Sequence, residues 1–199
     1  MTDLFNLFGE SPRPWLDPDE LKAKYHQLTA LHHPDVAGST GDFSEINRAY
    51  QTLADPVARL RHLLDLESAD SSASRPQSVP EDIAAFFAPV AQASQSVDAF
   101  LKKHASTTSP LAKALLSAEQ YQVQENLEAT IATLHGKQET LLTHLRALDA
   151  LWQTDRPAVL SELPTLHQSL AYLGMWVSNL REALFKLASI PCPLNLHLK

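Results

Sequence analysis

Three adjacent residues, His33-Pro34-Asp35, place an imidazole, a rigid kink and a carboxylate at one point of the chain. Proline fixes its own φ, lacks an amide proton and pushes the residue before it out of the α region. A helix that leads into this tripeptide should therefore end at about His32, and the tripeptide should begin a loop. We expect the loop to present a compact polar group to a binding partner.

Two amphipathic helices are predicted on either side of that loop. The first begins with Asp17 as the cap, Pro18 at the first helical position and Glu20 three residues after the cap, as in a capping box. Its packing face and its solvated face are predicted from a rotation of about 100° per residue. The packing face has Leu21, Tyr25, Leu28 and His32, and the solvated face has Lys22, His26, Thr29 and His33. The second helix has an apolar stripe formed by Phe43, Ile46, Tyr50 and Leu53.

Other kinds of chemistry find little support in the sequence. His26, His32, His33 and Asp35 could suggest a metal site, but His32 belongs to the packing face and no second cluster of ligands is evident. Cys192 is the only cysteine, which excludes an internal disulfide and a cysteine-based zinc site. The sequence indicates no general base that would activate Cys192 as a nucleophile. We therefore expect no metal, no cofactor and no catalytic residues, and a protein that is not an enzyme.

Composition and charge exclude several classes of partner. The 199 residues carry a net charge of -7, and the residues up to Glu67 contain six Lys and Arg against eleven Asp and Glu. Nucleic acid binding needs the opposite balance. No apolar run is long enough to span a membrane, and Asp3 and Glu10 argue against a signal or transit peptide. We expect a soluble, cytoplasmic protein.

The pattern predicts an all-α chain in two parts. Four helices in residues 1–67 form a small N-terminal domain, and 68–80 is rich in serine and proline, as exposed linkers are. Residues 81–190 resume helical periodicity and form a bundle, most simply of three helices, and 191–199 is a tail. Pro89 should kink or divide the first of these helices, and Gly136 could break the second. The last helix has a heptad seam, which we assign to packing within the bundle: Leu166, Leu170, Leu173, Val177, Leu180, Leu184 and Leu187.

The N-terminal residues resemble a known family. Tyr25-His26-Gln27-Leu28 before His33-Pro34-Asp35, followed by the stretch 43–53, is similar to a J domain, the module with which DnaJ-type co-chaperones stimulate DnaK-type ATPases. The stretches 3–9, 46–53 and 55–64 resemble HscB, the J-protein of iron-sulfur cluster assembly. The resemblance implies that His33, Pro34 and Asp35 contact the ATPase of a DnaK/HscA-type chaperone. It also implies that Lys22, Lys24 and His26 steer docking, although His26-Gln27 replaces the lysine-arginine pair that is usual after the tyrosine.

The resemblance to HscB also implies a client. In that family the second domain is a helical bundle whose first and last helices offer an apolar surface to the cluster scaffold IscU. Phe86, Phe87 and Tyr172 fall where this surface would lie, and they are the candidate client-binding residues. The stretch 88–92 replaces a glutamate-rich part of the family's first helix. For Phe86 and Phe87, burial in an ordinary core is the alternative.

Two functions follow from these patterns. The first is a co-chaperone that activates the ATPase of a partner chaperone and delivers to it an IscU-like iron-sulfur scaffold, while binding no nucleotide itself. The second is an interaction protein with a weakened J domain, which fits the acidic balance, and a bundle that binds another client or self-associates. The intact His33-Pro34-Asp35 favours the first.

Overall fold

The computed structural model of the protein describes residues 2–32, 40–68 and 79–190, with only the backbone of 40–42. The described residues form helices and no strand, which confirms the predicted all-α class. The helices are α1 Leu4–Leu7, α2 Pro18–Leu31, α3 Thr40–Ala54, α4 Pro56–Ser68, α5 Glu81–Ala84, α6 Phe87–Ser106, α7 Pro110–Leu115, α8 Ser117–Leu151 and α9 Arg156–Ala188. Most of the predicted linker, the predicted tail and Cys192 lie outside the described residues.

The N-terminal helices begin where their caps predict. The Asp17 carboxylate accepts hydrogen bonds from the amides of Asp19 and Glu20, at 2.9 and 3.1 Å, and Pro18 is the first residue of α2. Asp55 accepts from the Ala58 amide at 2.7 Å at the start of α4. These carboxylates satisfy amides that have no partner within the helix, and they complement the positive end of its dipole.

The first 68 residues pack around α3. Helices α1, α2 and α4 all contact α3, and the core consists of one apolar face from each helix. Its buried members are Leu4, Phe5, Phe8, Leu16, Leu21, Ile46, Ala49, Leu53, Leu60 and Leu63. The short N-terminal helix therefore covers the larger ones, as its apolar composition predicts.

The chain forms two compact units, and neither is a single stretch of sequence. Unit 1 comprises Met1–Ser78 and Leu141–Leu170, so the end of α8 and the beginning of α9 belong with the N-terminal helices. Leu145, Leu148, Trp152 and Leu163 are buried there. Unit 2 comprises Val79–Thr140 and Ala171–Lys199.

In unit 2 the three long helices α6, α8 and α9 pack through their apolar stripes. Leu173, Val177, Leu180 and Leu187 of the heptad seam are buried within this chain, which agrees with the assignment of the seam to a bundle. The predicted division near Pro89 is present, because α5 ends at Ala84 and α6 begins two residues before the proline. A proline in the first turn costs no intrahelical hydrogen bond.

The second helical stretch differs from the prediction at two points. Gly136 does not break it, because α8 continues through this glycine to Leu151. Its beginning is instead divided, since α7 ends at Leu115 and α8 starts at Ser117. At this division Leu115 is 75% exposed, and Leu116 is buried against Phe100 and Leu187.

Candidate functional site

The solvent-facing side of α2 carries two of the predicted docking residues. Lys22 and His26 are four residues apart on the helix and are both exposed. Lys24 lies elsewhere on α2, and its ammonium pairs with the Glu10 carboxylate. Helix α2 therefore offers one exposed lysine and one exposed histidine on this face.

Helix α2 is fixed to α3 through the tyrosine that precedes His26. The Tyr25 hydroxyl donates a hydrogen bond to Asn47 Oδ1 at 2.6 Å, and its ring stacks on Tyr50 with the centroids 4.2 Å apart. Tyr50 in turn stacks on Phe8 of the N-terminal segment. Stacked aromatic pairs of this kind contribute about 0.5–1.5 kcal/mol beyond their buried area. The two helices that flank the candidate loop are thus joined by specific contacts.

His33, Pro34 and Asp35 lie outside the described residues. The structure does place the ends of the helices on either side of them. Helix α2 ends at Leu31 with His32 as its C-cap, and α3 begins at Thr40. The prediction that the helix ends at about His32 is confirmed. Leu31, directly before this point, is 69% exposed.

Helix α4 buries two polar side chains against the N-terminal segment. The Arg59 guanidinium donates to the carbonyls of Pro14 at 3.0 Å and Leu53 at 2.6 Å, and burial lowers the pKa of Arg59 to about 10. His62 Nε2 accepts a hydrogen bond from the Leu4 amide at 3.0 Å. Burial lowers the pKa of His62, which favours the neutral ring that this acceptor requires.

The segment between α1 and α2 is held by residues from the far end of α8. The Asp149 carboxylate accepts from Arg13 Nε at 3.1 Å and from the Trp15 amide at 3.0 Å, and Arg13 Nη2 also donates to it. The Trp152 indole donates to the Pro12 carbonyl at 2.9 Å. Arg146 stacks over the Trp15 ring, 4.1 Å from its centroid.

A second candidate surface lies in unit 2, where α6 begins beside α9. The Phe87 ring meets the rings of Tyr172 and Trp176 edge-on, with centroids 5.9 and 4.8 Å away, and Tyr172 is 5.6 Å from Trp176. We call these three residues the aromatic cluster. Phe87 is 43% exposed, so the alternative of an ordinary core residue is wrong for it. Phe86 is half-buried at the N-cap of α6.

Sequence reasoning brought Phe87 and Tyr172 together but missed two residues. Trp176 was omitted although it follows Tyr172 by four residues and so shares its side of the helix. Asp149 gave no signal, because one acidic residue on an amphipathic helix ordinarily faces solvent.

Metal-binding and membrane-spanning features are absent from the part of the chain that the structure describes. No group of three or more His, Cys, Asp or Glu side chains is arranged there to hold a metal ion. None of the helices in residues 2–32, 40–68 and 79–190 is long and apolar enough to cross a membrane.

Comparison with known proteins identifies the N-terminal part. Residues 12–62 match the DnaJ domain family model, so the chain contains a J domain. Among curated proteins, the Chaperone protein DnaJ of Acaryochloris marina is 43% identical over 75 residues, which cover 36% of this chain and 20% of that protein.

Two further relatives are co-chaperones. The Co-chaperone protein HscB of Proteus mirabilis is 32% identical over 77 residues, covering 34% of this chain and 44% of that protein. A mitochondrial J-type co-chaperone of Saccharomyces cerevisiae is 42% identical over 52 residues, covering 26% and 28%. The matched segments thus span between a fifth and less than half of these three curated relatives.

The solved structure of Chaperone HscB from Vibrio cholerae resembles this protein over most of both chains. The match covers 92% of this chain and 99% of that one, with a TM-score of 0.52 and 19% sequence identity. It shows a common fold. The resemblance to a J domain and to HscB is therefore confirmed, at the level of domain family and fold.

Proposed function

We propose that this protein is a co-chaperone that stimulates the ATPase of a DnaK/HscA-type chaperone through its J domain. The observation that carries the proposal is the match of residues 12–62 to the DnaJ family, with His33-Pro34-Asp35 between α2 and α3. The Tyr25 contacts to Asn47 and Tyr50 support it, because they join the two helices that flank this tripeptide in the sequence. ATP is bound and hydrolysed by the partner.

The test is the steady-state ATPase rate of a DnaK-type chaperone from the same organism, with and without this protein. His33→Gln should abolish stimulation and leave the melting temperature unchanged, because a polar side chain in the predicted loop should contribute little to the core. His144→Gln is the matched control, since its exposed imidazole pairs with the exposed Glu162 carboxylate across 3.0 Å. Equal stimulation by the His33→Gln variant and the unmodified protein would refute the proposed role of the tripeptide.

We further propose that the bundle delivers a client, and that this client is an IscU-like iron-sulfur scaffold. The HscB-like fold and the aromatic cluster support the assignment. Phe87 and Tyr172 are partly exposed over a buried Trp176, an arrangement in which aromatic side chains can anchor an interface. Phe86, next to the cluster in sequence, remains a candidate contact.

The chemistry of this surface predicts how it binds. No charged residue occurs between Phe87 and Val97 of α6, or between Gln168 and Leu180 of α9. Recognition should therefore depend on apolar and aromatic contact, and the affinity should change little with salt concentration, because salt screens only charged groups.

Calorimetry with the scaffold from the same organism tests the client assignment. Tyr172→Ala should weaken binding by about 1–2 kcal/mol while leaving ATPase stimulation intact. Tyr121→Ala is the control, because Tyr121 is 69% exposed on α8 of the same unit. Undetectable binding by the unmodified protein would remove the iron-sulfur assignment and leave the J-domain assignment standing. Unchanged affinity in the Tyr172→Ala variant would show that the client binds elsewhere.

A second candidate function is an interaction protein with a weakened J domain. The observation that favours it is electrostatic: α2 exposes Lys22 and His26, while Lys24 is engaged by Glu10. The same ATPase assay separates the two functions, because this alternative predicts no stimulation even by the unmodified protein at saturating concentration.

A further inference from the structure

Met175 lies beside the aromatic cluster on the surface of α9. It follows Tyr172 by three residues, and side chains with this spacing are neighbours on one side of a helix. The next residue, Trp176, is buried, whereas Met175 is 48% exposed. Met175 therefore extends the apolar surface of the aromatic cluster toward solvent.

The thioether of Met175 is open to small reagents. Nearly half of the side chain is exposed, and the residue before it is Gly174, which has no side chain to shield it. An added Cβ at Gly174 would point into open space. A reagent the size of a peroxide can thus reach the sulfur in the folded protein.

Oxidation at this position would change the chemistry of the surface. The reduced thioether is flexible and polarisable, so it adapts to an apolar partner. A sulfoxide is polar, and its oxygen must give up hydrogen bonds to water when an apolar partner covers it. No charged residue occurs between Gln168 and Leu180 of α9, so apolar contact dominates binding here and the added oxygen should oppose it.

The sequence allows such an effect to be assigned to one side chain. Met1 is the only other methionine and Cys192 is the only cysteine. Both lie outside residues 2–190, so Met175 is the single sulfur-containing side chain in that part of the chain.

We propose that Met175 is a site of reversible oxidation that controls client binding at the aromatic cluster. The oxidant is a peroxide: its O–O bond breaks, one oxygen atom is transferred to the Met175 sulfur, and the peroxide is reduced to water or an alcohol. The sulfur loses two electrons and becomes a sulfoxide. The thiols of a methionine sulfoxide reductase return it to the thioether, with release of water and formation of a disulfide. This inference rests on the client-binding function proposed above.

The test is calorimetry with the IscU-like scaffold from the same organism, before and after the protein is treated with hydrogen peroxide. The full chain is used with Cys192→Ser, which removes the thiol, and peptide mass spectrometry verifies that Met175 has gained one oxygen atom. Oxidation should weaken binding about tenfold, and treatment with methionine sulfoxide reductase should restore the affinity.

Met175→Leu is the matched control, because leucine keeps an apolar side chain at this position and has no sulfur. This variant should bind the scaffold nearly as well as the untreated protein, and peroxide should not change its affinity. A saturating concentration of scaffold should also slow the oxidation of Met175 severalfold, relative to a free methionine peptide in the same mixture.

Three results would overturn the proposal. The first is unchanged affinity although Met175 carries the sulfoxide, which would leave the client assignment standing. The second is an equal loss of affinity in the peroxide-treated Met175→Leu variant, which would place the sensitive group elsewhere. The third is undetectable binding by the untreated protein, which would remove the client assignment and this inference together.

Discussion

Replacement of Arg59 by methionine and by alanine should separate the contribution of its charge from that of its aliphatic chain. Arg59 is 3% exposed, and its guanidinium donates to the carbonyls of Pro14 and Leu53. Its pKa is lowered to about 10 by burial, against the opposing attraction of Asp55 and Asp149. It therefore remains charged at neutral pH, at a cost to the folded state.

For Arg59→Met, the loss of two hydrogen bonds and the removal of a buried charge have nearly equal and opposite effects on the free energy of unfolding. Loss of the guanidinium leaves two carbonyls without their donor, at about 1–3 kcal/mol each. It also removes the desolvation of the charge, which is worth about 3 kcal/mol because one pKa unit corresponds to about 1.4 kcal/mol. Arg59→Met should thus lower the free energy of unfolding by about 1 kcal/mol. Arg59→Ala additionally loses the packing of the aliphatic chain and should cost about 2 kcal/mol more.

The assay is urea unfolding of the full chain, followed through NMR signals of Leu60 and Leu63 so that it reports on α4. Arg61→Ala is the control, because Arg61 is exposed on the same helix and should change the free energy of unfolding by less than about 0.5 kcal/mol. Equal losses for the methionine and alanine variants would refute the role given to the aliphatic chain. A loss above about 5 kcal/mol for methionine would show that the charge itself stabilises the fold.

Acidification should destabilise unit 1, because burial lowers the pKa values of His62 and His167. The contribution of the two neutral rings to the free energy of unfolding is complete above about pH 6.5 and is lost as pH falls through the lowered pKa values. His62→Gln, whose side-chain oxygen can still accept the Leu4 amide, should reduce this loss in urea titrations between pH 7 and 5; an unchanged pH dependence would contradict the assignment. Gly136→Ala should raise the free energy of unfolding by about 0.5–1 kcal/mol, because Gly136 lies inside α8 and an added Cβ would point into open space. Gly9→Ala should instead lower it by about 1 kcal/mol, since Gly9 has a φ of 63°. The same sign for both changes in thermal melts would argue against these conformational reasons.

The local elements of this protein could be predicted from its sequence because their causes lie within a few residues. The cap formed by Asp17 with Pro18 begins α2, and the apolar repeat from Leu166 to Leu187 predicts a helix packed along one side. Phe87 and Tyr172 were placed on one surface by resemblance to a family, and the structure brings their rings together. Local reasoning failed at Gly136, where packing of the flanking turns outweighs the weak helix propensity of one glycine.

The tertiary structure alone decided which distant residues contact the N-terminal helices. Asp149 and Trp15 are separated by 134 residues, and neither the spacing nor the chemistry of the intervening helices indicates that they meet. Arg59 gave a similarly misleading signal, since an arginine on a short amphipathic helix ordinarily faces solvent. Periodicity identifies the face of a helix that is buried, but not the residues that cover it. Burial of a charge depends on partners supplied by other elements, so Asp149 and Arg59 could be recognised only once those elements were in place.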